Sequence, residues 1–207
     1  MALFRTSEPE RTRGVSEGAC HLYVLPCAYE DLLKLGFSRQ PLERMQALHP
    51  RFFEFFDLDR ALLVETETVR DARKLELDLG HALAEYSAPA PLTVRLQAAG
   101  HTEWYRGAYP SLAQAVQLLS DRGHIVHAPL RPWVETQMQA RAPALFAWGT
   151  SVLDRVEGEP DHLDRLPMLH ALRQQVIDVL DAHRAFGIDV PGHLPDALAQ
   201  WYARRGW

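Results

Sequence analysis

The sequence predicts an α+β fold: a small, mainly antiparallel three-stranded sheet flanked by helices, with an all-helical C-terminal extension. Three observations carry this expectation. The stretches "HLYVLP" (21–26) and "LLKLGFS" (32–38) are short apolar runs separated only by "CAYED", the signature of an antiparallel hairpin. A third apolar run, "RALLVETE" (60–67), follows an intervening helical segment. From about residue 126 onward the pattern is helical throughout. The expected organisation is a lead-in over 1–19, one α+β domain over 20–125 and a helical extension over 126–207.

Each element has its own local reason. In the second run Leu33, Leu35 and Phe37 alternate with Lys34, Gly36 and Ser38, the period of a half-buried strand. A helix follows, opened at Ser38 or Gln40, with Pro41 in its first turn, Leu42, Met45 and Leu48 on one side, and Pro50 as its stop. The aromatic stretch "FFEFFDLD" is expected to pack beneath the sheet. Thr68 caps a long amphipathic helix over about 69–86, with Ala72, Leu75, Leu79, Ala82, Leu83 and Tyr86 as its apolar stripe. "SAPAPL" breaks that helix. "TVRLQAAGHTEWYRG" reads as irregular or strand, and Ser111 opens a further helix. "HAPLRPW" (127–133) looks like a linker, before helical segments near 133–147, 162–185 and 194–204.

Composition narrows the function classes. A chain of 207 residues with 47% hydrophobic content can bury a sizeable core. No apolar run is long enough to span a bilayer, and "MALFRTSEPERTRG" has no long hydrophobic region, so a cytoplasmic protein is expected. Cys20 and Cys27 have odd separation on one strand, which places them on opposite faces and argues against a disulfide. The histidines of "HIVH" (124–127) are a weak metal signal and read better as surface residues. The net charge of −5 gives no basic field, and neither 1–125 nor 126–207 carries more Lys and Arg than Asp and Glu. A phosphate-binding surface must therefore be a local cleft.

Four polar side chains stand out from the packing pattern. Tyr23 interrupts the first strand. Lys34, one of only two lysines in the chain, sits on the face opposite to Leu33 and Leu35, with Gly36 beside it leaving room for a backbone or ligand. Arg44 lies on the following helix, close enough in chain to reach back over the sheet. Glu76 borders the apolar stripe of the long helix, where a carboxylate needs a cation as partner. That cation is either a metal ion or, in a purely structural reading, Arg44.

The ordered set "HLYVL…LLKLGFS…PLERMQAL…ETETVRDARKLE…HTEWYRG" resembles the GIY-YIG nuclease superfamily, in the phage and bacterial branch with a Lys-Ile-Gly second motif and a closing Glu-Trp-Phe. The resemblance spans about residues 20–110. It matches Tyr23 to the first motif's tyrosine, Lys34 and Gly36 to the second motif, Arg44 to the following arginine, Glu76 to the metal-binding glutamate, and Glu103 and Trp104 to the closing motif. His21 replaces the first glycine. Gly80 stands where the branch often has a histidine, with His81 one place later.

The resemblance implies a magnesium-dependent endonuclease that hydrolyses phosphodiester bonds of DNA, in a phage-defence or mobile-element setting, with RNA as a second candidate substrate. Glu76 would be the sole protein ligand of Mg²⁺ or Mn²⁺. Arg44 would bind the phosphate, and Tyr23 would hydrogen-bond or deprotonate the attacking water. Lys34 would be the base or a phosphate contact, and Gly36, Ser38 and Arg39 would border the substrate. The alternative is a catalytically silent module of the same fold that binds nucleic acid or a protein. The leucine-rich stretch after Leu166 is expected to pack as core, with a homodimer or protein partner as its second use. In "WYARRGW" the aromatics and arginines either bury the chain end or touch nucleic acid.

Overall fold

The hairpin forms where the apolar alternation places it. In the computed structural model, which describes residues 19–94 and 100–205, β1 (Cys20–Pro26) and β2 (Leu32–Ser38) pair antiparallel, with Tyr23 opposite Gly36 and Leu25 opposite Lys34. β3 (Leu62–Thr66) lies antiparallel on the other side of β1, with Tyr23 opposite Leu63 and His21 opposite Glu65. These are the three expected strands. The sheet is wider than that: β4 (Ser87–Ala88), β5 (Trp104–Arg106) and β6 (Val126–His127) extend it to the order β4-β5-β2-β1-β3-β6. The added strands are two or three residues long, too short for a period of two to show in sequence. Most of the expected lead-in and part of the segment before β5 lie outside the described residues.

Helices cover both faces. Leu22, Val24, Leu33 and Leu35 pack with α3 (Val69–Ala82) and with Leu112, Val116 and Leu119 of α4 (Tyr109–Asp121). On the other face, Tyr23, Leu25, Leu32, Leu63 and Trp104 pack with Leu42, Met45 and Leu48 of α1 (Pro41–Leu48), with Phe52 of α2 (Phe52–Phe55), and with Val134 and Met138 of α5 (Arg131–Arg141). The half-buried strand read from β2 is thereby corrected. That second cover is built by α1 and α2 together with residues beyond 126, so alternation within the strand could not reveal it. As a result Lys34 lies in the interior, only 2% exposed.

Local chemistry sets the helix ends. The Thr68 hydroxyl accepts from the Asp71 amide and starts α3 as the capping pattern predicts. The helix stops at Ala82, short of Tyr86, and a 3₁₀ turn (Ala84–Tyr86) leads into β4. Ala72 and Leu83 are buried, whereas Ala82 and Tyr86 are exposed, because the chain leaves the helical path to pair Ser87 with Tyr105. α4 begins two residues before Ser111, with Pro110 in its first turn.

The stretch that reads as a linker is part of the packed structure. β6 pairs with β3, and the Leu130 amide donates to the carbonyls of Leu58 and Ala61. Leu130 itself is fully buried. Its Pro-rich composition suggested a loop, but Pro132 sits in the first turn of α5, where a missing amide does no harm.

Beyond α5, helices α6 (Leu145–Arg155), α7 (His162–Arg165), α8 (His170–Ala185) and α9 (Asp196–Ala203) gather around their own cluster of Leu163, Leu172, Val176, Leu180, Leu198 and Trp201. Three of the expected leucine-rich positions, Leu172, Val176 and Leu180, are core, while Leu166 is 38% exposed. Trp201 and Tyr202 are buried, and Arg204 and Arg205 pair with Asp161 and Asp164. The last two residues of "WYARRGW" lie outside the described residues. α8 is tied to the sheet side by Arg51, whose guanidinium reaches Asp178 (3.2 Å) and Asp181 (2.8 Å). Arg141 of α5 also pairs with Glu43 of α1. Among the described residues no helix is long and apolar enough to cross a membrane.

Candidate active site

Tyr23 is fixed from both sides by the sheet register. Its phenol lies across the opposite residue, Gly36: a Cβ at Gly36 would sit 2.4 Å from the Tyr23 hydroxyl oxygen and 2.7 Å from Cζ. The space that the sequence leaves open at Gly36 for a ligand is therefore filled by Tyr23. Arg44, projecting from α1 over this face, donates from Nε to the Tyr23 hydroxyl at 3.4 Å. Burial pushes the phenol's pKa up, the Arg44 hydrogen bond and charge pull it down, and the carboxylates of Glu76 and Glu103 add to the rise. The phenol is thus held as a neutral, oriented hydroxyl.

Lys34 is the departure that the geometry explains best. Its ammonium donates to the Leu35 carbonyl and forms an ion pair with Glu103 Oε2 at 3.2 Å. Burial pulls its pKa down, and Glu103 is the main group opposing that fall. Neither role expected for Lys34, base or phosphate contact, is open to it while this pair stands, because the amine is enclosed and engaged. Glu103 adopts a left-handed backbone (φ 54°), an uncommon conformation for a residue with a Cβ. It lets the Glu103 carbonyl accept from the Leu35 amide while its carboxylate turns to Lys34.

Glu76 comes from α3, the helix on the opposite face, and is half-buried. Its carboxyl pKa is pushed up, first by burial and then by the negative charge of Glu103, with Lys34, Arg73 and Arg44 acting against the rise. Tyr23, Lys34, Arg44 and Glu76 are thus within electrostatic reach of one another. β5 runs beside β2 only from Leu32 to Lys34, so among the described residues the outer edge of Gly36–Ser38 has no neighbouring strand.

The remaining predicted residues fall at the rim. The Ser38 hydroxyl accepts from the Gln40 amide at 3.0 Å and so shapes the turn into α1. Arg39 is exposed at the same turn, and its charge reaches the Cys20 thiol. His81 is exposed. Both cysteines are free and buried. His124 and His127 are half-buried, not surface residues, and both engage Glu65.

Two site residues were not singled out from the pattern. Glu103 was visible only as part of a closing motif, and its pairing with Lys34 depends on a backbone turn that no periodicity encodes. Tyr105, on β5, brings its phenol against Gly80, where an added Cβ would lie 3.1 Å away, and its pKa is raised by burial and by Glu103 and Glu76.

As a test of metal fit, a half-buried carboxylate already strained by a second carboxylate is a hard oxygen donor that a divalent cation would relieve. Among the described residues no group of three or more His, Cys, Asp or Glu is placed to hold a metal ion.

Residues 21–120 match the model of the T5orf172 domain. This domain family is associated with nucleases, and the match runs from β1 to the end of α4, stopping before β6 and α5. No curated protein and no solved structure matches the chain.

Proposed function

We propose that the chain is a metal-dependent endonuclease of the GIY-YIG type that hydrolyses phosphodiester bonds of DNA. The observation that carries this reading is the convergence of the Tyr23 hydroxyl and the Arg44 guanidinium, in contact at 3.4 Å, with a half-buried Glu76 carboxylate of raised pKa. An aromatic hydroxyl, a fixed cation and a carboxylate can serve in-line attack of water on a phosphodiester, as water orienter, phosphate contact and metal ligand.

Glu76 would hold Mg²⁺ or Mn²⁺, which when bound supplies Lewis-acid neutralisation of phosphate charge. Arg44 would present its guanidinium to the non-bridging oxygens, where its planar donors favour the transition state as charge builds. Tyr23, kept neutral by burial, would orient the attacking water by accepting its hydrogen bond at the hydroxyl oxygen, and it could take the water's proton only from the phenolate form that Arg44 favours, its own proton having first gone to solvent. Lys34 acts through Glu103: it holds that carboxylate and the start of β5 in place and lowers the negative potential around Glu76. Gly36 serves by giving the phenol its room.

A second reading, a silent nucleic-acid- or protein-binding module, is favoured by one observation: Tyr23 and Lys34 are each only 2% exposed. A cleavage assay on single- and double-stranded DNA with magnesium, comparing the full chain with Glu76→Ala and Arg44→Ala, separates the two. The nuclease reading expects metal-dependent cutting lost in both variants. Absence of cutting at every metal concentration, with binding unaffected by either change, selects the silent module.

A further inference from the structure

On the same sheet face as Tyr23, spread over its own row and the next, lies a second group of polar and aromatic side chains. His21 is two residues before Tyr23 and faces the same way, about 7 Å along the strand. It stands opposite Ser38 on β2 and opposite Glu65 on β3. His127, on β6, stands opposite Leu63 and hydrogen-bonds Glu65 Oε1 through Nε2 at 2.8 Å. Trp133, from α5, covers both rings: its centroid lies 6.0 Å from that of His21 and 6.3 Å from that of His127, tilted by 58° and 53°.

One atom of this group is out of place in a purely structural cluster. His21 Nδ1 is buried and, among the described residues, has no hydrogen-bond partner. A buried orphan nitrogen is costly, and such atoms are rare in packed interiors. Burial holds the ring below the ordinary histidine pKa, so it stays neutral and can present an N–H. A metal does not answer the vacancy, because no three donors here are placed for one. Glu65 and His127 remain 39% and 29% exposed, and Trp133 is partly exposed, so the row is reachable from outside.

We propose that His21, His127 and Trp133 form a subsite for the nucleotide that flanks the scissile phosphate: His21 Nδ1–H donates to an oxygen of its sugar-phosphate, and the Trp133 and His127 rings pack against its base. The proposal rests on the nuclease reading, since it takes the position of the scissile phosphate from Tyr23 and Arg44. Two of its three residues, His127 and Trp133, lie beyond the T5orf172 match, so the C-terminal region supplies part of the substrate surface. Spacing favours the assignment, because one strand row is close to the reach of a single nucleotide. Aromatic faces beside a polar anchor are also how single strands are gripped without regard to sequence.

The test uses the full chain in metal-free buffer, with fluorescence anisotropy on two probes: a labelled oligothymidylate, and a strand of abasic residues of equal length and charge. The oligothymidylate is expected to bind about 5- to 150-fold more tightly, the equivalent of stacking one base. Trp133→Phe should retain most of that ratio and Trp133→Leu should abolish it. Because Trp133 also packs on the core, His21→Gly, which removes no core side chain, is the second arm: it should weaken both probes alike. Unchanged ratios in Trp133→Leu, or unchanged affinity in His21→Gly, overturn the subsite. If wild type binds neither probe, the nuclease reading falls with it. If wild type cuts DNA yet binds both probes equally, only the subsite falls.

Discussion

Replacing Gly36 by alanine tests the packing of the site at its tightest point. The added Cβ would meet the Tyr23 hydroxyl oxygen at 2.4 Å, Cζ at 2.7 Å and Cε2 at 2.9 Å, all below any ordinary contact. The ring cannot swing freely, because Tyr23 is buried and its neighbours Leu63 and Met45 are fully packed. Overpacking of this kind costs about 1–3 kcal/mol. Against it stands the ordinary gain of alanine over glycine within a strand, about 0.5–1 kcal/mol, so the single variant should lose up to about 2.5 kcal/mol. The decisive measurement is a double-mutant cycle by urea denaturation. In a Tyr23→Leu background none of the three clashing atoms exists, and Gly36→Ala should change sign and stabilise by about 0.5–1 kcal/mol. Additive effects of the two substitutions would refute the steric account and leave Gly36 with some other role. In the same variant, cleavage should fall through displacement of the phenol from Arg44.

Three further outcomes follow from the charges. Lys34→Met removes a buried ammonium, and its partner Glu103 is 38% exposed and can reach water, so thermal stability should be unchanged or higher while cleavage falls. A clear loss of stability would mean the pair is structural. Glu76 has a raised carboxyl pKa, so its charged form is lost on acidification earlier than for an ordinary glutamate. The acid limb of cleavage at limiting metal should therefore lie above the usual carboxylate range and move down as magnesium is raised, and a limb insensitive to magnesium would exclude Glu76 as the ligand. Arg51→Met strips the buried carboxylates of Asp178 and Asp181 of their cation. Unfolding in urea should then show a loss of about 3 kcal/mol, near the low end for broken buried pairs because Gln174 and Tyr202 still donate to them.

How much of this was legible in sequence depended on range. The hairpin and α1 follow from local alternation, turn chemistry and Pro41, and α3 from its Thr68 cap; the hairpin and α1 fall where they were expected. Thr68 and Ala72 were readable because a cap and an apolar stripe are decided within a few residues. Lys34 is odd for its position, but its burial is hidden, since its partners Glu103 and Trp104 come from the start of a short strand about seventy residues later. Glu65 was read only as part of a strand, and its link to His127 joins β3 to a two-residue strand with no signature of its own. The convergence of Tyr23, Arg44 and Glu76 was expected through resemblance, whereas Glu103 as the lysine's partner required a left-handed turn that composition does not announce.

The closure of α5 over the Tyr23 face has a bearing on how this sheet domain can be moved between proteins. Leu130, Val134, Met138 and Ala142 are fully buried on that face, in one cluster with Tyr23 and Trp104. A chain cut at residue 125 would leave that cluster facing water and strip β3 of its outer neighbour. Grafts, fusions and permutations should keep the sequence intact through Ile188, because Ala182, Phe186 and Ile188 belong to the same cluster. The portable unit is thus set by the cover of the sheet, and it is longer than the span that matches the T5orf172 model.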